Sequence, residues 1–248
     1  SIGHYDGNKI IKYKEVLFPH SLGLFYTAIT QYLGFLKYGD EYKVMGLAPY
    51  GNPIYIEKLN EILIKDQNKL FSLNLDYFQH HTGNVEMTWL TGEPEIGKVY
   101  SKKIVNLLGP ERKPKDKLEK VHMDIAASAQ KVYEEALFDI LNKLYKKNNN
   151  DSLCISGGCG MNSVANGKIL KNTKYKKIYI PPSPGDSGGA IGAASFFLNQ
   201  KYGINKKYSD NPYLGPEYDS ENISQLLKKN NKEIEEKNIK IQKFDNID

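Results

Sequence analysis

The apolar positions of this chain change period along its length, and each change marks an element. After the turn residues of "GHYDGN", the run "KIIKYKEVLF" (residues 9–18) has the β-branched and aromatic character of a strand. In "SLGLFYTAITQYLGFL" (residues 21–36), Leu22, Phe25, Ile29, Tyr32, Leu33 and Leu36 recur at helical spacing, with Ser21 placed as an N-cap. "YGDEYKVMGLAPYGNP" (residues 38–53) is punctuated by glycine and proline and reads as a loop. Residues 54–120 mix short helix and strand signals with breakers, and read as an insertion or small subdomain. From Val121 one long amphipathic helix is predicted, with Ile125, Ala129, Val132, Ala136, Ile140 and Leu144 on its apolar face. Its Glu134 and Glu135 read as solvated.

Shorter units follow. "DSLCISGG" predicts a buried strand and a glycine turn, "MNSVANGKIL" a short helix, "KKIYIPP" a second buried strand, and "DSGGAIGAASFFLNQKY" a buried helix. Helices alternating with apolar strands predict an α/β fold with a parallel sheet. Beyond "NPYLGPEY", the stretch "DSENISQLLKKNNKEIEEKNIKIQKF" predicts a charged helix leading to an edge-like strand, the start of a second domain.

Composition narrows the class. The 248 residues suffice for one or two domains, and the net charge is +5. Lysines are scattered rather than gathered in a stripe, so no nucleic-acid partner is expected. The mean hydropathy is −0.54, no apolar run reaches membrane-spanning length, and the N-terminus lacks a signal-peptide profile. Two cysteines, Cys154 and Cys159, form neither a CxxC motif nor a disulfide framework, which fits a reducing cytoplasmic setting. The chain opens without methionine and ends as a strand-like run finishes, so it reads as a piece of a longer protein.

Three stretches carry candidate chemistry. In "SGGCGMNSVANGKI", two glycines after a strand let the backbone approach an anion, although a ligand-free tight turn is the alternative. It is no dinucleotide fingerprint, because the second strand ends "IYIPP" without the acidic residue that would hold a ribose. A Walker A loop is also excluded, since Gly167 and Lys168 are followed by Ile169. In "EYKVMGLAPYG", Lys43 is either a cation lining an anionic site or an exposed lysine. In "PPSPGDSGGAIGAASFF", Asp186 stands either as a helix cap or as a ligand at the end of a strand. His4, His20, His80, His81 and His122 form no ligand set, His20 being the one placed at a helix start.

The stretches "FPHSLGLFYTAITQYLGF", "EYKVMGLAPYGNP", "DIAASAQKVYEEAL", "ISGGCGMNSVANGKI", "IPPSPGDSGGAIGAA" and "NPYLGPEY" occur in one order. In that order they resemble the NodU/CmcH-type O-carbamoyltransferases. The resemblance implies an ASKHA fold (actin-like ATPase, RNase H-like), with residues 1–214 as the C-terminal portion of its nucleotide-binding domain. Residues 215–248 would be the truncated start of a YrdC-like domain. It implies ATP and carbamoyl phosphate as co-substrates and carbamoyl-adenylate as intermediate. The group would pass to a hydroxyl of a small, sugar-containing acceptor.

Residue by residue, Asp186 matches the family's metal-binding aspartate, for a divalent ion with iron first and manganese or magnesium as alternatives. Gly157, Gly158, Asn162 and Gly185 match its loops for nucleotide or carbamoyl-adenylate, and Lys43 falls in the matching "KVMGLAPYG" stretch. Cys159, Gly160 and Met161 depart from the family's "GGVALN" wording. The family's HxxxH pair and a further acidic ligand belong upstream of residue 1. No membrane partner is expected, and a homodimer is compatible. The competing readings are a tRNA threonylcarbamoyl-transfer relative and a nucleotide-binding module without chemistry.

Overall fold

The computed structural model describes residues 1–7, 9–66, 69–83, 85–90, 92, 94–203 and 215–242. The chain divides into two compact units, Ser1–Ile204 and Asn205–Asp248.

The first unit opens with an antiparallel hairpin of β1 (Ile2–Tyr5) and β2 (Ile10–Lys14), with Tyr5 opposite Ile10. Helix α1 (Leu22–Tyr32) begins at the expected cap, where the Ser21 hydroxyl accepts the Leu24 N–H at 3.3 Å. Phe25, Ile29 and Leu33 are fully buried beneath it. The expected loop over residues 38–53 is instead helical: α2 (Glu41–Leu47) continues into a 3₁₀ turn at Ala48–Tyr50. Val44 and Leu47 bury against α1 and the long helix that follows, and that packing overrides the poor helix propensity of Gly46 and Pro49.

Residues 54–120 form α3 (Ile56–Ile62), a hairpin of β3 (Leu63–Lys65) and β4 (Phe71–Leu73), a two-residue pair of β5 (Met87–Thr88) and β6 (Glu95–Ile96), and α4 (Lys102–Leu108). Leu59, Ile62, Phe78, Val99 and Ile104 join the same apolar cluster as Phe25 and Ile29. The segment therefore shares the core of the first unit.

That core is organised around α5 (Lys120–Asn148). The predicted face of Ile125, Ala129, Val132, Ala136, Ile140 and Leu144 is buried throughout. From Asp124 to Gln130 every residue is buried, so this half of the helix has neighbours on all sides. Gly51 shows how closely they approach, because a Cβ there would run into the Met123 carbonyl of α5. Beside it, the Asn52 N–H donates to Asp124 Oδ1 at 2.6 Å. The helix ends at Asn149 in the left-handed region, φ 47°.

After α5, β7 (Ser152–Cys154) pairs in parallel with β8 (Lys177–Tyr179), Leu153 opposite Ile178. Between them lie a 3₁₀ turn at Gly158–Met161, α6 (Ser163–Asn166) and α7 (Ile169–Asn172). The parallel pairing is as expected, but the broader parallel sheet is not found: the described residues hold four two-stranded sheets, three of them antiparallel. The strands are not fully buried either, since Leu153 faces the core while Ser152, Cys154 and Tyr179 are exposed. The architecture is mixed α/β.

Helix α8 (Gly188–Tyr202) corrects another expectation, because none of its residues is buried. Ile191, Phe196, Phe197 and Tyr202 stand 54, 68, 54 and 57% exposed. The apolar pattern predicts a buried face, and the described residues of the first unit leave it uncovered.

In the second unit, α9 (Ser220–Lys229) starts with a reciprocal cap between Asp219 and Asn222, and α10 (Asn231–Glu236) follows. The charged helix is as expected. The edge-like strand is absent from residues 239–242, and its remainder lies outside the described residues, as does the first half of "NPYLGPEY". No helix among the described residues is long and apolar enough to cross a membrane.

Candidate functional site

Strands β7 and β8 run in parallel, so the loops leaving their C-terminal ends emerge side by side, which is where open α/β sheets place ligands. The first loop carries the glycine turn. Gly157 sits at φ 100°, a conformation that side chains disfavour. Its N–H donates to the Pro184 carbonyl of the second loop at 2.6 Å. Two close packings reinforce that bond: a Cβ on Gly160 would lie 3.3 Å from Pro184 Cβ, and one on Gly185 would lie 3.3 Å from Met161 Sδ. Gly157, Gly158, Gly185 and Asp186 are thereby brought together. Gly158 is exposed, with open space where a Cβ would stand.

Asp186 is not a cap. The N-cap position of α8 is Ser187, and no side chain bonds to the first-turn N–H groups there. The Asp186 carbonyl accepts the Gly189 N–H at 2.9 Å. Its carboxylate is exposed and has no hydrogen-bond or ion-pair partner among the described residues. The glycine at 188 has its own reason, since a Cβ there would strike the Ser183 carbonyl.

Behind the turn lies a buried polar network that sequence reasoning missed. Asn162 exchanges two amide hydrogen bonds with Gln130 of α5, both at 3.0 Å, and its Oδ1 also caps α6 through the Ala165 N–H at 2.9 Å. The Gln130 Oε1 accepts the Tyr26 hydroxyl at 2.7 Å, and its Nε2 donates to Glu134 Oε1 at 2.9 Å. Lys168 Nζ closes the network on Glu134 Oε1 at 2.6 Å. Glu134, expected on a solvated face, is only 3% exposed, whereas Glu135 lies nearer the surface and pairs with Lys65 at 2.9 Å. Burial raises the pKa of Tyr26 and of Tyr133, so both remain hydroxyl donors. Tyr133 spends its donor on the Cys159 carbonyl at 2.9 Å, a second tie between α5 and the turn. Burial likewise raises the Cys159 thiol, which is therefore no poised thiolate. The available sequence signal was "IAASAQ", six uncharged residues that leave no solvated face on the helix.

The side chain of Asn162 is thus committed within the protein, and its role here is to hold the turn. Lys43 lies on α2, paired with Asp40 at 2.7 Å and near the rings of Phe35 and Tyr42 at 5.7 and 5.8 Å. No contact among the described residues joins it to the glycine turn. Its neighbour Met45 does reach that region, where Sδ lies 3.7 Å from the Ser163 hydroxyl.

Three of the histidines hold backbone groups. His20 Nδ1 accepts the Leu73 N–H at 3.1 Å, His80 Nε2 donates to the Pro19 carbonyl at 2.8 Å, and His122 Nδ1 accepts the Glu119 N–H at 2.9 Å. Among the described residues no three His, Cys, Asp or Glu side chains come together as a metal site. Asp186 is a single donor, and these residues alone do not build a metal centre.

Chemically, the arrangement offers an open glycine backbone beside one unengaged carboxylate, on a turn tied to α5 by Asn162 and Cys159. A model of the carbamoyltransferase N-terminus family matches residues 2–195. An uncharacterized protein of Synechocystis is 41% identical over 231 residues, covering 90% of this chain and 35% of that protein. Nodulation protein NolO of Bradyrhizobium diazoefficiens is 30% identical over 219 residues, covering 85% of this chain and 35% of its own length. Nodulation protein NolNO of Sinorhizobium fredii is 31% identical over 189 residues, covering 74% and 24%. The chain spans about a third of the first two relatives and about a quarter of the third. The family match takes in both loops of the site as well as α5 behind them, and the chain belongs to the carbamoyltransferase family through its N-terminal domain.

Proposed function

We propose that this chain is the transfer portion of an O-carbamoyltransferase. In this reading carbamoyl phosphate and ATP give carbamoyl-adenylate, and the carbamoyl group then passes to a hydroxyl of a small, sugar-containing acceptor. The chain carries an ASKHA-type domain followed by the start of a YrdC-like one. The observation that carries the reading is the bonding of the Gly157–Gly158 turn to the loop that bears an unpaired Asp186. The Gly157 N–H is already given to Pro184, so the glycine N–H that suits the phosphate of an adenylate is that of Gly158, which leaves the backbone accessible. Asn162, Gln130 and Tyr133 hold that turn against α5, so its donors keep their aim without reorganising. Leaving-group charge then develops against fixed N–H groups rather than mobile water.

Asp186 would give one carboxylate to a divalent cation such as iron, manganese or magnesium. Since the described residues supply no further donors around it, no step is assigned to a metal here. The test compares the intact protein with Asp186→Ala, supplied with ATP, carbamoyl phosphate and a divalent ion. Pyrophosphate release and carbamoyl transfer are followed separately. Release is expected to persist while transfer falls by about a hundredfold or more. Equal transfer by the variant would remove Asp186 from the reaction.

A further inference from the structure

Beyond the C-terminal end of α1 lies a cleft of about 270 Å³ that the transfer reading does not use. It is separate from the glycine turn. A Cβ on Gly23, near the start of α1, would lie 3.9 Å from Cys159 Sγ. Gln31, which lines the cleft, is eight residues further on, about 12 Å along the helix axis. The volume is below the roughly 300–1,000 Å³ of sites for drug-sized ligands, which limits the occupant to one small molecule.

The charges lining this cleft are unbalanced. Lys98, Arg112 and Lys113 contribute three cations, and Glu111 contributes one carboxylate. Lys98 pairs with Glu111 at 2.5 Å; Lys113 feels the same carboxylate through space, but among the described residues neither it nor Arg112 forms a salt bridge. Among the described residues the Arg112 guanidinium is anchored by neutral groups, the carbonyls of Leu33 at 2.6 Å, Pro114 at 3.1 Å and Asp116 at 3.1 Å and the Phe35 ring at 5.2 Å. Those bonds fix its orientation and leave two of its five N–H donors unused. The Lys113 ammonium has no hydrogen-bond or salt-bridge partner among the described residues. The Asp116 carboxylate nearby accepts the Lys113 backbone N–H at 2.9 Å rather than its side chain.

Glu111 gives the cleft a second kind of selectivity. It accepts both the Lys98 ammonium and the Tyr100 hydroxyl on Oε2, which leaves Oε1 to accept another hydroxyl. Its bond to Lys98, then that to Tyr100, hold its pKa below the usual carboxylate range, so it stays an acceptor. Leu36, Ile96 and Pro114 supply apolar wall for a carbon skeleton.

We propose that this cleft binds the phosphate monoester of a small hydroxylated compound, with a sugar phosphate as the type of ligand. Arg112 and Lys113 hold the phosphate, whose charge of about −1.5 to −2 near neutral pH matches the two unpaired cations. Glu111 Oε1 accepts a hydroxyl of the ligand body.

The test is calorimetric titration of glucose 6-phosphate into the intact protein with saturating ATP present, so that a nucleotide site is already filled. Glucose and inorganic phosphate are titrated separately. Glucose 6-phosphate is expected to bind more tightly than either. Lys113→Gln should weaken it about tenfold, and Lys113→Glu should weaken it further. Glu111→Ala, which removes the hydrogen-bonding group, should erase the preference for the sugar phosphate over inorganic phosphate. Lys113 is exposed, so both of its variants should melt as the wild type does. Asp186→Ala, which addresses transfer, should leave this titration unchanged. Absence of saturable binding by either phosphate, or binding that Lys113→Glu does not weaken, would overturn the site. Equal affinity for inorganic and sugar phosphate would overturn the hydroxyl recognition.

Discussion

Replacing Asn162 asks whether the glycine turn is held from behind by α5. In Asn162→Ala the cap on the Ala165 N–H disappears, worth about 1 kcal/mol, together with two amide bonds to Gln130 at about 1 kcal/mol each. Gln130 keeps Tyr26 on its oxygen and Glu134 on its nitrogen, so no buried group is left wholly unpaired. The expected loss is therefore about 3 kcal/mol, a fall of roughly 6–12 °C in Tm for a unit of this size.

Asn162→Asp sharpens the test. It preserves the cap but sets a carboxylate oxygen against Gln130 Oε1, and flipping Gln130 only moves that clash onto Glu134. The introduced carboxyl therefore has its folded pKa raised above its unfolded value of about 3.9. A raised folded pKa adds stability below the unfolded pKa that is lost as pH rises through the folded one. The deficit of this variant should thus be largest near pH 7 and shrink as the pH approaches about 4. Urea unfolding followed by circular dichroism, repeated across that range, measures it. A cost below about 0.5 kcal/mol for Asn162→Ala, or a pH-independent deficit for Asn162→Asp, would refute the anchoring.

Two further outcomes follow from the packing. Gly51→Ala forces a methyl group onto the Met123 carbonyl and should cost about 1–3 kcal/mol in urea unfolding, with α2 and its following turn the first to gain hydrogen exchange. His20 has its pKa lowered from 6.5, chiefly by burial and then by Lys69, His80 and His81, while its Nδ1 accepts the Leu73 N–H. Its contribution is full above pH 6.5 and is lost as the pH falls from there toward the lower folded pKa. The stability gap between wild type and His20→Leu, measured by thermal melts, should therefore narrow on acidification through that window. A gap that widens would contradict a neutral His20.

Much of the fold was legible because several local signals need no distant partner. Ser21 caps α1 through its own neighbour Leu24, and the apolar repeat of α5 lies in one helix. The parallel pairing of β7 and β8 follows from two apolar strands with a helical crossover between them. The failures share one cause. Residues 38–53 looked like a loop because Gly46 and Pro49 disfavour helix, yet Val44 and Leu47 gain enough burial against α1 and α5 to form α2. Helix α8 looked buried because its residues are apolar, yet apolarity states a preference without supplying the surface that satisfies it.

By itself the sequence determined the order of the motifs, the glycines that permit φ 100° at residue 157 and close contact at residues 51 and 188, and the apolar stripe of α5. The tertiary structure decided what the polar residues do. Glu134 passed from an expected solvated face to a buried partner of Gln130 and Lys168, Lys43 went to Asp40, and Asp186 was left without a partner among the described residues. Periodicity reports which face of an element avoids water, but a polar side chain takes its role from the group it meets. Asn162 meets Gln130 from 32 residues away, and no local pattern along the chain encodes that encounter.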